Sequence, residues 1–426
     1  MNDARAAALF DKISGRTDTP DDLSAGAATA EARNGMRHIV SLSMTKVADG
    51  LIDPKLVLAW LLTALGAPAV FAGALVPIRE AGALLPQMPL AGAVQAMRHR
   101  KWAWVWGSAG QGVAAALIAV SALTLEGVAA GVAICAALAL LALCRAACSV
   151  SYKDILGKTV GKARRGSVTG LAGSVGSVGV LIFAVILMSG MMQSRGVVVI
   201  ALLLAACLWG GAALLFSTLE EEPSRAESRS PASFAILKGN GPLQRFIVTR
   251  GLLVSTALAP PYLVVLAGQG GEGTLGRLGA LVLASSLSSL VSSYVWGRLS
   301  DRSSRRVLIL TGLVGAAALA GALALWALGL ATTLWAMPLV LFVLVVAYHG
   351  VRQGRSTYLV DMAPPDQRAA YAAVANTVIG VLLLVAGAIG GGAALISPQA
   401  TLVVFMLMAL AASGVAYYLP EVEHAG

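Results

Sequence analysis

Six charged side chains lie close together near the start of a chain that is otherwise strongly apolar. Three are basic and three are acidic: Lys46, Asp49, Asp53, Lys55, Arg79 and Glu80. The spacing of Lys46, Asp49 and Asp53 puts them on one face if this stretch is an α-helix. A carboxylate beside a base can take up and release a proton when its surroundings change, whereas arginine keeps its charge. The cluster therefore predicts either a site that handles protons or a static network of ion pairs.

Composition places this cluster in a membrane protein. The chain has 426 residues, of which 58% are hydrophobic and only 12% are charged, whereas soluble domains carry about 25% charged residues. That balance excludes soluble enzymes, nucleic-acid-binding proteins and disordered chains. The apolar runs are continuous and about 20 residues long, the length of a membrane-spanning helix, and they lack the short alternating pattern of a β-barrel.

Hydropathy predicts ten membrane-spanning helices after residue 100. Their ranges are 103–124, 127–148, 167–190, 197–216, 246–267, 275–297, 307–328, 332–352, 369–392 and 400–419. The stretch 39–97 is long enough to hold two more. The predicted fold class is therefore an all-α polytopic membrane protein with twelve transmembrane helices.

Basic residues concentrate in alternate loops, which predicts the orientation of the chain. The loops after the second, fourth, sixth, eighth and tenth predicted helices are rich in Lys and Arg, whereas the opposite loops hold only Arg195 and Arg277. Because positive loops stay in the cytoplasm, we expect both termini there and the protein in the cell (inner) membrane. Residues 1–38 are polar and lack the apolar core of a signal peptide, so we interpret them as a cytoplasmic tail.

An internal repeat predicts two six-helix halves. A shift of 207 positions aligns landmarks in chain order: Pro54 with Pro261, Arg98 with Arg305, Arg145 with Arg352, and Asp154 with Asp361. The polar loop after the sixth helix has the composition of a flexible linker. The predicted boundaries are a tail at 1–38, bundles at 39–216 and 244–420, a linker at 217–243 and a tail at 421–426. Duplicated six-helix units are typical of transporters, whose binding site lies between the halves.

Two placements of the first two helices compete. Hydropathy alone favours a first helix at 56–76. The repeat favours 39–62 and 68–94, with a turn from Leu65 to Pro68, and this placement puts the charged cluster at membrane depth. Each charge near the bilayer centre costs about 2.5–3.5 kcal/mol. We prefer the repeat, because Gly-Ala-Pro is a turn signal and because the six charges balance.

The second placement predicts which charged residues pair. Asp53 and Arg79 each lie 13 residues from Gly66, so they have the same depth on adjacent antiparallel helices and are expected to form an ion pair. The residue at the same depth as Asp49 on the second helix is Ala83, whose side chain has neither a charge nor a hydrogen-bonding group. Asp49 is therefore the predicted carrier of a coupling proton.

The segment Gly297 to Arg306 reads GRLSDRSSRR and resembles the signature G-x-L-a-D-R-x-G-R-R of the major facilitator superfamily. It departs from that signature at Ser300 and Ser304. A degraded copy, GAVQAMRHRK from Gly92 to Lys101, has lost the aspartate. The resemblance implies a secondary transporter that works by alternating access, with cavity helices one, four, seven and ten.

The signature also implies a gate. An acidic residue at a cytoplasmic helix end can hold basic residues or the N-terminus of a neighbouring helix in one conformation only. The predicted gating residues are Gly297, Asp301, Arg302, Arg305 and Arg306. A second set of charged residues is predicted to form cytoplasmic clasps: Arg145, Asp154, Arg352 and Asp361.

Other motifs narrow the function. The sequence has no Walker motif, no HExxH and no GxSxG, so we expect no enzyme activity, no cofactor and no metal. The expected partners are the lipid bilayer, a small-molecule substrate and a coupling proton, with no nucleic acid, and the expected state is a monomer. The low polarity of predicted helices four and ten favours a neutral or modestly charged substrate. The alternative is a membrane sensor or scaffold on the same fold that transports nothing.

Overall fold

The computed structural model describes residues 8, 10–12, 23–189, 195–224, 234–268, 274–300, 303–364 and 367–422. Throughout these ranges the regular secondary structure is helical, which confirms the all-α fold class. The helices of the first part are α1 (Ala25–Ile52), α2 (Val57–Ala64), α3 (Ala69–Leu84), α4 (Gln87–Gln95), α5 (Lys101–Thr124), α6 (Gly127–Thr159), α7 (Arg165–Met188) and α8 (Arg195–Ser217). A 3-10 turn, Phe234–Leu237, precedes α9 (Gly241–Leu253), α10 (Ser255–Leu258), α11 (Pro260–Ala267), α12 (Thr274–Ser300), α13 (Ser304–Ala327), α14 (Ala336–Met362), α15 (Arg368–Ala394) and α16 (Pro398–Tyr417).

In the described ranges these helices form twelve consecutive segments, because α1 and α2, α3 and α4, and α9 to α11 each follow one another across short breaks. Nine segments are individually long and apolar enough to cross a membrane, and the pair α3–α4, bent by 42°, would be a tenth. The segments run alternately between two ends of the bundle. We call the end that holds Ala25 and Tyr417 the terminal end, and the end that holds Gly66 the turn end.

The chain turns at Gly66, as the internal repeat predicts. Helix α2 ends at Ala64, Pro68 precedes α3, and Gly66 has a φ of +70°, a conformation that glycine adopts readily. The carbonyl of Leu65 accepts a hydrogen bond from the Gly127 N–H at 2.8 Å. The placement based on hydropathy alone, with one helix over 56–76, is therefore wrong.

Three helix ends differ by ten residues or more from the predicted ones. Helix α1 begins at Ala25, where the Ser24 hydroxyl accepts a hydrogen bond from the Ala27 N–H at 3.2 Å, so the predicted tail 1–38 is helical from Ala25. Helices α6 and α14 continue to Thr159 and Met362. Hydropathy ended both too early, because their last turns carry charged side chains.

Glycines allow close contact between the two parts of the chain. A Cβ at Gly387 on α15 would lie 2.2 Å from Cγ of Pro77 on α3, and one at Gly279 on α12 would lie 2.9 Å from the Ala184 carbonyl oxygen on α7. Gly279 therefore brings the backbones of α7 and α12 together, and Gly387 lets the Pro77 ring of α3 pack against the backbone of α15. The boundaries of the two halves stay a prediction.

Helices α2 and α11 fill the turn end of the bundle. Every residue of α11 is buried, as are residues 57–62 of α2. The Tyr262 hydroxyl lies so close to α3 that a Cβ at Gly73 would be 1.9 Å from it. We call this packed region of α2 and α11 the plug.

Candidate functional site

A cavity of about 430 Å³ lies between the plug and the terminal end. Its walls come from α1, α3 and α6 of the first part of the chain and from α10, α11, α12 and α14 of the second. Its charged lining consists of Asp49, Asp53, Lys55, Arg79, Glu80, Arg145, Arg352 and Arg355. Five of the six residues in the predicted cluster line it. The sixth, Lys46, is exposed on α1 and lies within electrostatic reach of Asp49.

A helix break positions the first charged residues. Pro54 has no backbone N–H, and the helical chain is interrupted between Ile52 and Val57. The Asp53 carboxylate accepts a hydrogen bond from the Lys55 backbone N–H at 2.8 Å, while the Asp53 carbonyl accepts from Val57 at 2.8 Å. The break turns Asp53 and Lys55 towards the cavity.

Asp49 joins three helices through two arginines. One carboxylate oxygen lies 3.0 Å from Nη2 of Arg79 on α3, and both oxygens accept from Nη1 of Arg145 on α6. The side chains of Arg79 and Asp49 are only 13% and 24% exposed. Charge-assisted bonds in such a shielded place are strong, so this triad holds α1, α3 and α6 together.

The triad corrects two sequence-based predictions. Arg79 pairs with Asp49 and not with Asp53, and Asp49 is the most fully paired carboxylate of the cluster instead of the least. The depth argument assumed one uninterrupted helix from residue 39 to 62. The break at Pro54 invalidates that assumption, and the argument also left out Arg145, which comes from a helix outside the pair it considered.

Lys55 connects the two parts of the chain. Its Nζ lies 3.8 Å from the ring centroid of Tyr348 on α14, a cation–π contact. Glu80, on α3, lies within electrostatic reach of Lys55, Arg79 and Arg355. The side of the cavity near Lys55 is therefore shared by the break between α1 and α2, by α3 and by α14.

Helix α14 contributes a basic face that the sequence analysis missed. His349, Arg352 and Arg355 are spaced three residues apart, on one side of the helix, and the His349 ring lies 3.0 Å from the Ser289 hydroxyl of α12. The predicted helix ended at residue 352, which assigned Arg355 to a loop. The regular spacing was the signal that could have found this face.

The same three residues line a second cavity of about 410 Å³. Its other lining residues, Ser292, Trp296, Gln353 and Ser356, lie on α12 and α14, nearer to the terminal end of the bundle. The charged cavity thus continues towards the terminal end, whereas the plug closes the turn end. The lining of the charged cavity is strongly polar. The sequence had predicted a weakly polar surface from predicted helices four and ten, which correspond to α6 and α14.

The predicted gating motif is only partly described. Asp301 and Arg302 lie outside the described residues, and Gly297 belongs to α12. Arg305 donates to the Leu419 carbonyl at 3.1 Å and pairs with Glu421 at 2.9 Å. The Arg306 N–H donates to the Ser303 hydroxyl, which caps α13. The gate at Asp301 stays a prediction.

The start of α5, where the degraded copy of the motif ends, is held by a different acidic residue. The backbone N–H groups of Arg100 and Lys101 donate to the Glu221 carboxylate at 3.1 and 2.8 Å. Asp154 on α6 pairs with Arg100 and Lys158, both at 2.5 Å. Glu221 and Asp154 therefore fasten the start of α5 to the end of α6 and to the chain after α8.

The four predicted clasp residues do not meet as the repeat suggests. Arg145 binds Asp49 in the cavity, and Arg352 also lines the cavity. Asp154 and Asp361 lie nine residues further along the same helices, about 13 Å away at 1.5 Å per residue. Asp361 is exposed on the last turns of α14.

Glu220 forms a more exposed contact between the chain after α8 and the start of α1. It pairs with Arg33 and Arg37, each at 3.0 Å. The hydrogen bond from Arg37 is the main reason that the pKa of Glu220 lies below its usual range. A carboxylate with a lowered pKa stabilises the folded protein above its ordinary pKa, and that contribution is lost as the pH falls through the lowered value. The carboxylate is 49% exposed, so the contribution is small.

We expect Glu221→Ala to lower the thermal unfolding midpoint of the purified protein. The substitution leaves two N–H groups at the start of α5 without their acceptor, and loss of a helix cap costs about 0.5–2 kcal/mol. Glu126→Ala is the matched control, because the Glu126 side chain is 76% exposed and its contact with Arg195 is long, at 3.5 Å. Equal midpoints for the two variants would contradict the capping role of Glu221.

Comparisons with known proteins agree with this architecture. Residues 252–426 match the family model described as Major Facilitator Superfamily. A crystal structure of a mutant of the nucleoside transporter NupG superposes with a TM-score of 0.69 at 13% identity and covers 91% of this chain and 99% of its own. A POT family transporter in complex with a thioalcohol-conjugated peptide gives 0.67 at 13% identity, over 90% and 95% of the two chains. The POT family transporter PepTSo gives 0.68 at 12% identity, over 91% and 97%. No curated protein sequence matches the chain.

Proposed function

We propose that this chain, which matches the model of the Major Facilitator Superfamily over residues 252–426 and shares its fold with a nucleoside transporter, moves a small organic solute by alternating access and couples the movement to protons. The single observation that carries the proposal is the charged cavity between the two parts of the chain. The plug closes it at the turn end, and the second cavity continues it towards the terminal end. This is the arrangement that one of two alternating states requires.

Proton coupling needs a carboxylate that can lose and regain its charge. Asp49 is unsuited, because two arginines hold it in the charged form. Among the described residues, no cation lies within 4.0 Å of the Asp53 carboxylate, which accepts a hydrogen bond from the Lys55 backbone N–H. Ionisable groups inside a membrane protein are candidates for proton relays. We therefore assign the coupling proton to Asp53, in place of the sequence-based choice of Asp49.

The test is uptake into proteoliposomes that contain the purified chain, with a pH gradient of either direction. The radiolabelled probes are succinate, glycerol 3-phosphate, alanine and glucose, which represent a dicarboxylate, a phosphate monoester, a zwitterion and a neutral solute. We expect accumulation of at least one probe that collapses when a protonophore abolishes the gradient. If none of the probes moves in either direction, the transport proposal fails and the sensor alternative gains support.

Asp53→Asn tests the assignment of the proton. The variant should still exchange the probe across the membrane, because the binding site remains, but it should no longer accumulate the probe under a pH gradient. Glu126→Gln, a neutralised carboxylate at the exposed turn end, should accumulate it normally. Accumulation by Asp53→Asn equal to that of the unmodified protein would exclude Asp53 and make Glu80 the next candidate.

A further inference from the structure

We propose that the solute is a small organic anion and that Arg352 and Arg355 of α14 bind its carboxylate or phosphate group. This inference rests on the proposed transport function and adds the chemical class of the substrate. It also replaces the neutral or modestly charged substrate that the composition of the predicted helices favoured.

The charges of the cavity do not cancel. Its lining holds five side chains with a fixed positive charge, Lys55, Arg79, Arg145, Arg352 and Arg355, and three carboxylates, Asp49, Asp53 and Glu80, which leaves two positive charges in excess. Asp49 bonds to both Arg79 and Arg145, so one of the two excess charges lies in that triad. The other lies in the part of the cavity formed by Lys55 and the two arginines of α14, where three cations face only Asp53 and Glu80.

Arg352 is surrounded by other basic groups. Three basic groups lie within electrostatic reach of Arg352: Lys46 on α1, and His349 and Arg355 on the same helix. Within the described residues, no ion pair joins Arg352 or Arg355 to a carboxylate at 4.0 Å or less. Like charges held together raise the free energy of the empty site, and an anion would relieve that repulsion.

A third arginine adds to the positive potential near Arg355. Arg250 on α9 is 5% exposed and lies within electrostatic reach of Arg355. Its Nη2 donates to the Asn376 side chain at 2.9 Å, but its buried Nε has no hydrogen-bond partner in the part of the chain that the structure describes. A buried guanidinium that is not paired with a carboxylate is costly, and among the described residues Arg250 forms no ion pair, so a bound anion near Arg355 would lower the free energy of this region as well.

The geometry suits one anionic group. Arg352 and Arg355 are three residues apart and project from the same face of α14, and both line the two cavities. An anion that enters from the terminal end would therefore meet them before it reaches Lys55. The planar guanidinium group binds carboxylate and phosphate oxygens in a bidentate manner. A cavity of about 430 Å³ fits a small molecule.

A zwitterion fits the cavity less well. Its ammonium group would need a carboxylate that is not already neutralised, and Glu80 lies in the field of Lys55, Arg79 and Arg355. Asp53 remains, but it is the group that we assign to the proton. A protonated Asp53 offers no charge to an ammonium group. The observations therefore favour an anion, with a zwitterion as an outcome that the test distinguishes.

Binding to the full-length purified protein in detergent tests this inference without any transport. The ligands are succinate, glycerol 3-phosphate, alanine and glucose, and the measurements are the thermal unfolding midpoint and isothermal titration calorimetry. A ligand that binds only the folded protein raises the midpoint as its concentration exceeds Kd. We expect succinate or glycerol 3-phosphate to raise the midpoint and alanine and glucose to leave it unchanged. The response to the two anions separates a carboxylate from a phosphate preference.

The variants Arg352→Gln and Arg355→Gln should weaken anion binding by about ten-fold or more, as expected for a lost charge-assisted contact. Arg98→Gln is the control, since it removes the same charge from an exposed position outside the cavity. Arg352 is exposed towards the cavities, so that variant should fold normally. Binding of alanine or glucose in preference to both anions, or anion binding by both α14 variants with unchanged Kd, would overturn the inference. Arginine-dependent anion binding without any uptake would instead contradict only the proposed transport function.

Discussion

Oxidative cross-linking of cysteines placed at Thr63 and Gly268 should stop transport completely, and reduction should restore it. A Cβ at Gly268 would lie 3.7 Å from Cγ2 of Thr63, so a disulfide can join the end of α2 to the end of α11. The two helices belong to different predicted halves and form the plug. Alternating access requires them to separate at the turn end when the cavity changes sides. A covalent link between them would hold the protein in the state described here.

The experiment needs a background without native cysteines, obtained by replacing Cys135, Cys144, Cys148 and Cys207 with alanine. The measurement is uptake of the active probe into proteoliposomes after oxidation and again after reduction. The matched control is a cysteine pair at Val307 and Gly354, where the added Cβ would lie 3.3 Å from Cβ of Val307 within one predicted half. That cross-link should leave transport intact. Undiminished uptake with a fully formed Thr63–Gly268 cross-link would contradict movement of the plug.

The internal repeat predicted more of the fold than hydropathy did. Hydropathy alone passed over the turn at Gly66, because residues 56–76 contain no charged side chain to interrupt the apolar run. The repeat favoured two helices on either side of residues 65–68, and the Gly-Ala-Pro turn signal there supported that placement. Backbone chemistry agrees, because Gly66 adopts a positive φ and Pro68 cannot continue a helix from α2.

The same sequence could predict five of the charged residues that line the site but not how they pair, and it missed the basic face of α14. A charged side chain inside an apolar, membrane-spanning stretch costs free energy, so a group of such residues indicates a common site. Five of the residues identified in this way line one cavity: Asp49, Asp53, Lys55, Arg79 and Glu80. Pairing depends on where a helix breaks and on what a third helix supplies. Counting residues along two helices from Gly66 could predict neither the interruption at Pro54 nor the contact of Arg145, on α6, with Asp49.

Charged helix ends were the other source of error. A hydropathy window ends a helix where charges begin, yet α14 continues through Arg352 and Arg355 because these side chains face a cavity. Helix α6 likewise continues past Asp154, because the charge of Asp154 is neutralised by Arg100 at the start of the neighbouring helix. In a membrane protein, charged turns at the end of an apolar run are therefore a reason to extend the predicted helix and to look for a partner or a cavity.

We expect Asp49→Asn to destabilise the protein much more than Asp53→Asn, although both substitutions remove one negative charge from the same cavity. Asp49 bonds to Arg79 and Arg145, and loss of hydrogen bonds to charged groups costs about 1.5–3 kcal/mol. The two guanidinium groups would also be left facing each other without the carboxylate between them. Asp53 has no comparable ion pair in the described structure. The measurement is the thermal unfolding midpoint of each purified variant in the same detergent.

A double-mutant cycle separates the triad from a general effect of charge. If Asp49 and Arg79 act as a pair, Asp49→Asn combined with Arg79→Gln should cost less than the sum of the two single substitutions, by an interaction energy of about 0.5–3 kcal/mol. The double variant removes the carboxylate together with one of the cations that it neutralises, so only Arg145 remains unpaired, and the Arg145 side chain is 38% exposed to the cavity. Strictly additive losses, or an Asp49→Asn variant that unfolds at the same temperature as Asp53→Asn, would show that the triad does not hold α1, α3 and α6 together. Rescue by the second substitution would identify Asp49 as a structural carboxylate and leave Asp53 free to carry the proton.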